Sequence, residues 1–282
     1  MNHTTLQMFK IVAEEQSVTK AAKKLGRVQS NITTRIQQLE EELGVALFMR
    51  DSKKMTLSPE GVSFLSYAQK ILSLAEEARQ ALHPGKPAGV LKIGSMEATA
   101  ASRLMPVFQQ FHGQCPEVSL SLKTLSTQQL LERVRNASLD CALVSLLPDA
   151  EGIIECPPDL EFVNVFNESL VLLTPASVSH DEVRLAAFPK GCSYRARGEA
   201  LLNTQAVVEV QDVSSYHSMV ANLAAGRCSC VLPESVAATL VLPQDTRQQF
   251  VTQALTQLVW RKGYSSPALE AMKQVLASAS NL

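Results

Sequence analysis

The sequence has no apolar run approaching the ~18 residues of a membrane-spanning helix, so no helical crossing of a bilayer is expected. It has no excess of one charge: 26 Lys and Arg face 27 Asp and Glu, which excludes a chain drawn to polyanions by its overall charge. It has no metal-ligand spacing. His3, His83, His112, His180 and His217 are isolated, and Cys228-Ser-Cys230 is too closely spaced for a zinc knuckle and lacks a second pair. No nucleophile, base and orienting group can be assembled from motifs, so no enzyme and no cofactor are expected. The opening MNHTTLQMFKIVAEEQ has no apolar stretch between a basic start and a small-residue cleavage site, so the expected location is cytoplasmic, without a secretory leader or membrane association. There the six scattered cysteines, Cys115, Cys141, Cys156, Cys192, Cys228 and Cys230, are expected to be reduced, packed thiols.

What is present is an organising stretch from Val18 to Leu47. Ser17 is placed to cap a short helix containing Ala21, Ala22, Lys23 and Lys24, and Gly26 can take the left-handed conformation that ends it. A second helix runs from about Gln29 to Leu43, with Ile32, Ile36, Leu39 and Leu43 forming one stripe and Gly44 as its stop. Its other face carries Ser30, Asn31, Thr34, Gln37 and Gln38, polar but almost uncharged. Amides and hydroxyls suit base edges, whereas a solvated face usually carries Glu and Lys. The pair therefore reads as a DNA-reading helix-turn-helix, against the alternative of a helical hairpin in an enzyme core. The flank decides. Leu47-Phe48-Met49-Arg50, a polar turn Asp51 to Lys54 and Met55-Thr56-Leu57 read as a β-hairpin wing with cations at its tip. From Met1 to Leu65 nine cations face seven anions, and the cations cluster in the helix-turn-helix and wing, where phosphates would lie.

Leu6, Phe9 and Ala13, with Val12, mark a supporting first helix. Pro59 opens a long helix whose Phe64, Ala68, Ile71, Ala75, Ala78 and Leu82 recur as a heptad seam. Burial within its own domain would cover that seam, but the wet faces at Glu76, Glu77, Arg79 and Gln80 favour a two-helix contact between protomers. His83 to Gly89 reads as a hinge. Beyond it strands at Val90–Gly94, Val118–Thr124 and Leu139–Leu146 alternate with helices at Arg103–His112 and Gln128–Asn136, which predicts a mostly parallel sheet covered by helices. Phe162 to Leu173 crosses to a second lobe with strands at Leu185–Phe188, Ala206–Val210 and Cys228–Leu232 and helices at Glu199–Leu202 and Ser214–Ala225. Leu258 to Arg261 returns the chain to a final helix, Pro267–Ala279.

The run Leu6, Phe9, Val12, Ser17, Ala21-Ala22, Leu25, Gln29-Ser30, Ile36, Leu39-Glu40, Leu43-Gly44, Leu47-Phe48, Arg50, Leu57, Gly61 resembles the amino-terminal signature of LysR-type transcriptional regulators. The resemblance implies an all-α winged helix-turn-helix domain followed by a two-lobed α/β effector domain built like a periplasmic binding protein. The corresponding division is 1–58 for the head, 59–83 for a dimerising linker helix, 84–89 for the hinge and 90–282 for the effector domain, with lobe I at about 90–162 and 262–282 and lobe II at about 163–261. It further implies binding to double-stranded DNA at the nucleoid, a homodimer through the linker helix, a homotetramer and contact with RNA polymerase. Gln29, Ser30, Thr33, Thr34 and Arg35 are the expected DNA contacts of the reading helix, and Arg50, Lys53 and Lys54 those of the wing with phosphate. By helical projection Thr33 and Arg35 flank the groove side, while Gln29 projects towards the core and owes its place to the first turn and to the resemblance. Many family members carry Ser-Arg or Ser-Lys where this chain has Thr33-Thr34, its cation standing at Arg35.

In open α/β sheets ligands gather beyond the carboxyl ends of strands, where backbone amides at helix starts favour anions. That rule selects Ser95, Met96, Glu97 and Thr99, then Thr124, Ser126 and Thr127, then Ser145, and in the second lobe Ser193, Tyr194 and Arg195. The resemblance places the family's effector cleft at these segments. An Arg195 guanidinium at a helix start could grip a carboxylate with two hydrogen bonds, and Glu97 would welcome an amine, so the expected effector is an amine or amino acid. Ser95 and Thr99 have helix capping as their alternative role. Cys192 beside Arg195 suggests a lowered thiol pKa and a redox switch, set against ordinary packing. A solute-binding transport protein and an enzyme with a regulatory head are the rival readings, and neither accounts for both halves.

Overall fold

The computed structural model describes residues 1–51, 54–82, 86–149, 151–175, 184–202 and 209–279, and the expected wing-tip contact Lys53 lies outside them. Two compact units are present, Met1–Pro84 with Asn136–Ser138, and Gly85–Arg135 with Leu139–Leu282.

The first unit contains α1 (His3–Glu15), α2 (Val18–Leu25), α3 (Gln29–Leu43), a hairpin of β1 (Phe48–Asp51) and β2 (Lys54–Leu57), and α4 (Pro59–Ala81). Ser17 Oγ accepts from the Lys20 amide at 3.4 Å, and Gly26 ends α2 at φ +61°. Such a backbone carries no penalty without a Cβ. Phe9 is fully buried, with Phe48 at 5.4 Å and Phe64 at 5.1 Å between ring centroids, so strand, linker helix and α1 meet on one residue. Ile32, Ile36 and Leu39 turn into this core, while Leu43 is partly buried at its edge. The wing is held from two sides: Glu40 Oε1 accepts from Leu47 N (2.8 Å) and Phe48 N (3.1 Å), and Met55 N donates to Gln16 O (3.1 Å).

The predicted seam on α4 is covered at its start by the chain's own core and exposed at Ile71, Ala78 and Leu82. Ala68 is fully buried and Phe64 packs on Phe9, because α1 of the same chain covers this side of the first turns. Among the apolar residues left exposed, Tyr67 (61%), Ile71 (40%), Leu74 (64%) and Ala78 recur at spacings of four, three and four, and Val62 and Leu82 are exposed as well. Ile71 and Ala78 belong to both stripes.

The second unit contains β3 (Gly89–Ser95), α5 (Glu97–Ser102), α6 (Leu104–Gln114), β4 (Val118–Thr124), α7 (Thr127–Arg135), β5 (Cys141–Val144), β6 (Leu160–Thr174), β7 (Arg184–Ala187), α8 (Ser193–Leu202), β8 (Glu209–Asp212), α9 (Tyr216–Ala224), β9 (Cys230–Pro233), α10 (Glu234–Ala237), β10 (Arg247–Arg261) and α11 (Pro267–Ala279). One six-stranded sheet has the order β4-β3-β5-β10-β6-β9, and β7 pairs with β8. Within the six-stranded sheet the expected parallel pairing is present at β4, β3 and β5, and β7 and β8 also pair parallel. The two crossings are themselves 15-residue strands, β6 and β10, paired antiparallel along their length with register shifts at Phe250/Thr252 and Thr256/Gln257. An outgoing and a returning segment that lie side by side must run in opposite directions, so the sheet is mixed. Two buried clusters result, one centred on Ile93, Phe111, Leu258 and Met272, the other on Leu170, Leu185, Leu223 and Leu232.

α8 begins six residues before the predicted Glu199 start. Within it, the missing Cβ of Gly198 leaves room for Val231, whose Cγ2 would otherwise stand 3.2 Å away. The expected strand at 206–210 is β8, two residues later, and residues 206–208 lie outside the described set. Among the described residues no helix is long and apolar enough to cross a membrane, and no group of three His, Cys, Asp or Glu is placed to hold a metal ion.

Candidate functional site

In the first unit α3 presents its amino-terminal turns outward. Gln29, Ser30, Asn31, Thr33, Thr34 and Arg35 are exposed around the buried Ile32 and Ile36. Gln29 is therefore not turned into the core, as projection alone suggests: at the first helical position the chain has not yet wound onto the α1 contact. Val28 precedes α3 without a side-chain cap, so the first amides of the helix keep no side-chain acceptor. Thr33 Oγ1 donates back to Gln29 O at 3.0 Å, and Arg35 reaches Gln38 Oε1 at 3.3 Å. Lys54 is exposed in β2 opposite Asp51, and Arg50 lies in β1 opposite Met55.

In the second unit a cavity of about 340 Å3 opens beyond the carboxyl ends of β3, β4 and β7. Met96, Glu97, Thr124, Ser126, Thr127, Ser193 and Tyr194 line it, all of them predicted. Four expected residues lie elsewhere. Ser95 and Ser145 are fully buried strand ends, Ser95 Oγ donating to Met96 O at 2.9 Å and Ser145 Oγ having no partner. Thr99 is buried within α5. Arg195 does grip carboxylates, but the protein's own: Nε lies 2.8 Å from Glu199 Oε1 and Nη1 2.6 Å from Asp212 Oδ1, with Phe188 O accepting at 3.2 Å. Burial alone would lower its pKa; Glu199 and Asp212 hold it above its ordinary value. Because α8 starts at Ser193, Arg195 sits inside the helix rather than ahead of it, and its side chain ties α8 to the end of β8.

Leu125, within the selected run 124–127, lines the cavity too, as do Gln129, Phe188, Pro189, Lys190, Ser214 and Tyr216, which lie outside the selected segments. The signal was available: Phe188 to Lys190 and Ser214 follow the carboxyl ends of β7 and β8, to which the same rule applies. Phe188 and Tyr216 meet edge to face at 5.1 Å and 80°. Tyr194 is buried, and burial raises its pKa above the ordinary phenol range against the opposing effect of the Thr256 hydroxyl beside it, so it stays a neutral hydroxyl. The two sides of the cleft touch where Gln128 N donates to Gly191 O (3.3 Å) and Thr127 Oγ1 lies 3.5 Å from Ser193 Oγ. Gly191 has φ +95°, and a Cβ there would stand 3.1 Å from Ser126 Oγ, so this contact needs a glycine. Cys192 also lines the cavity, but burial pushes its thiol above the usual range, outweighing the Arg195 and Tyr194 amides and the nearby guanidinium groups, so a lowered pKa is not what this site produces.

Comparisons with known proteins assign both halves. Residues 3–62 match the model for the bacterial regulatory helix-turn-helix protein, lysR family, and residues 84–281 match the LysR substrate binding domain. The uncharacterized HTH-type transcriptional regulator YusT of Bacillus subtilis (strain 168) is 36% identical over 266 residues, 92% of this chain and 88% of the relative. The HTH-type transcriptional regulator GltR of the same strain is 37% identical over 249 residues, 85% and 82% of the two chains. A full-length OxyR variant from Pseudomonas aeruginosa shares the fold at a TM-score of 0.75 and 23% identity, over 100% of this chain and 95% of that one. CbnR, a LysR family transcriptional regulator, superimposes at 0.67 with 24% identity, over 99% of each chain. The exposed reading helix, the wing and the cleft-bearing α/β unit thus occur together in one known arrangement, and the chain belongs to the LysR family of DNA-binding transcriptional regulators, with an effector-binding domain and no enzymatic role.

Proposed function

We propose that α3 reads an operator through Gln29, Ser30, Thr33, Thr34 and Arg35 while Arg50, Lys53 and Lys54 of the wing meet phosphate, and that a zwitterionic amino acid in the cleft modulates this binding. The observation that carries the effector half is the pairing of Glu97 and Lys190 around one cavity that also has an apolar wall, Phe188 and Tyr216. Glu97 would accept from an ammonium group, Lys190 would meet a carboxylate, and the aromatic wall would take an apolar side chain. Lys190 takes the role that Arg195, already paired, does not fill. A volume of about 340 Å3 suits a ligand of this size. For the DNA half, support comes from the exposure of the uncharged polar turns of α3 and from CbnR, a structure of which is complexed with its target DNA.

The head at 1–58, linker helix at 59–83, hinge at 84–89 and effector domain at 90–282 form the proposed working division. The exposed stripe Tyr67, Ile71, Leu74 and Ala78 supports a homodimer through the linker helix. A tetramer, contact with RNA polymerase and a cytoplasmic place at the nucleoid complete the reading. Closure of the cleft on the effector would then shift the spacing of the DNA heads as a population shift.

The test is footprinting on host DNA with and without a panel of amino acids and amines. Discrete promoter-proximal sites that shift with one zwitterionic compound are the expected result; uniform, salt-sensitive coverage overturns it. Gln29→Ala is expected to weaken the preferred operator by ~1 to 3 kcal/mol and random DNA by less, and equal loss on both would remove Gln29 from base reading. Glu97→Gln is expected to weaken the activating amino acid about tenfold or more, since a carboxylate-ammonium hydrogen bond becomes a neutral one. An unchanged midpoint in a ligand titration followed by thermal shift would exclude Glu97 from the ammonium site.

A further inference from the structure

Further along α8 from the turn that borders the cleft lies a second hollow, of about 730 Å3, whose apolar wall includes Leu147, Ile154, Leu201, Val251 and Leu255. Arg197 is part of that wall. Its guanidinium donates Nη2 to Leu146 O at 2.9 Å and Nη1 to Ser193 O at 3.4 Å, two backbone carbonyls. Among the described residues no carboxylate lies within ion-pair distance of it, in contrast to Arg195 and Arg103, each held by Glu or Asp. Burial lowers the Arg197 pKa, the mark of a charge removed from water without a counter-charge. A guanidinium carries five N–H donors in a planar fork, and a desolvated cation with spare donors gains most from an anion of matching geometry. A phosphate would bring two negative charges to one cation among apolar side chains. A monocarboxylate brings one, and its body can lie on the apolar wall.

We propose that this hollow is a second small-molecule site, selective for a monocarboxylate with an apolar body, and that α8 couples it to the cleft. The coupling alone rests on the cleft being the effector site. It has a specific route. Arg197 ties the carbonyl of Ser193, whose hydroxyl faces the cleft, to Leu146 at the end of β5. A carboxylate on the spare N–H donors draws the Arg197 guanidinium towards the hollow, and through its bonds to both carbonyls this shifts the first turn of α8. By linkage, a cleft ligand must alter the affinity of the second site by the same factor.

The test uses the full-length protein and isothermal titration with phenylacetate and hexanoate, with inorganic phosphate and hexylamine as controls. The expected result is binding of both carboxylates and of neither control, weakened about tenfold or more by Arg197→Gln and by Ala200→Phe, which fills the hollow while keeping the cation, and unchanged by Glu97→Gln. Ala200→Phe keeps the test decisive if Arg197→Gln fails to fold. No binding to the parent protein, equal binding to all variants, or loss confined to Glu97→Gln overturns the site. Coupling is read from the rate of Cys192 alkylation, which phenylacetate is expected to change in the parent protein but not in Ala200→Phe. Binding with an unchanged alkylation rate overturns the coupling and leaves the site standing. Failure of the cleft reading shows separately, as a DNA response indifferent to Glu97→Gln.

Discussion

Leu74→Asp is expected to convert the protein to monomers at concentrations where the parent chain is dimeric, and to abolish binding to a two-half-site operator. Leu74 is 64% exposed in the centre of the Tyr67, Ile71, Leu74, Ala78 stripe, so within the chain it contributes little. Across a two-fold linker-helix contact it would be buried against its partner. Removing one buried Leu side chain loses about 1.5 to 3 kcal/mol. Two-fold symmetry doubles that figure, and two facing carboxylates add repulsion, so the dimer should weaken by a factor of ~10² to 10⁴. Sedimentation velocity reads the mass directly, and a gel shift reads the loss of two-headed binding. Ala68→Asp serves as the contrasting variant. Ala68 is fully buried against the chain's own core, so it should unfold the head rather than yield a folded monomer. An unchanged mass for Leu74→Asp would move the dimer contact off this stripe.

Gly61→Ala is expected to destabilise the DNA-binding head more than an ordinary surface change in a helix. An added Cβ would stand 2.0 Å from the Leu47 carbonyl oxygen and 3.1 Å from Leu57 Cδ2. That carbonyl cannot retreat freely, because Ser58 N donates to it at 3.0 Å, Ser58 Oγ donates to Ala46 O at 2.7 Å, and Gly61 N donates to Ser58 Oγ at 2.9 Å. The start of α4 is thus laced to the strand entry by two hydrogen bonds from Ser58, which Gly61 N in turn holds in place, and these set the close approach. Overpacking that side chains can absorb costs about 1 to 3 kcal/mol, and here backbone must move, so the upper end or beyond is expected. For a unit of this size ~3 kcal/mol corresponds to a fall of more than ~10 °C in the calorimetric transition of the head. A transition unmoved within ~2 °C would mean that α4 and the wing separate at no cost.

Both predictions concern features that the sequence marks without explaining. Gly61 is visible as a glycine in the first turn of a helix, where propensity argues against it. Only the fold shows the carbonyl that excludes a side chain. The heptad spacing of α4 is likewise visible, but two interleaved stripes satisfy it. Which of them is free depends on where α1 packs, a contact some fifty residues away in the chain. Gly198 in α8 follows the same logic, since only the fold shows that Val231 packs against it.

In the cleft, seven of the expected residues line one cavity because the carboxyl-end rule depends only on strand direction, which alternating elements make legible. Arg195 is the counter-case. Its charge suggested a ligand, and its partners, Glu199 and Asp212, come from the same helix and from the end of β8. No local pattern reports a pairing across 17 positions when the strand boundary itself is read two residues early. β10 was recognised only at its apolar end, Leu258 to Arg261, since the Gln and Thr residues ahead of it look like loop until β6 supplies the partner strand.

The sequence by itself determined the helix-turn-helix, its caps, the wing, the linker helix and the order of strands and helices. These depend on capping, 3.6-residue and two-residue periodicity and turn chemistry, which act over a few neighbours. Only the tertiary structure decided which helix stripe stays uncovered, which cations are already paired and which are left facing a hollow. Burial and charge pairing are set by residues that the fold brings together from distant parts of the chain.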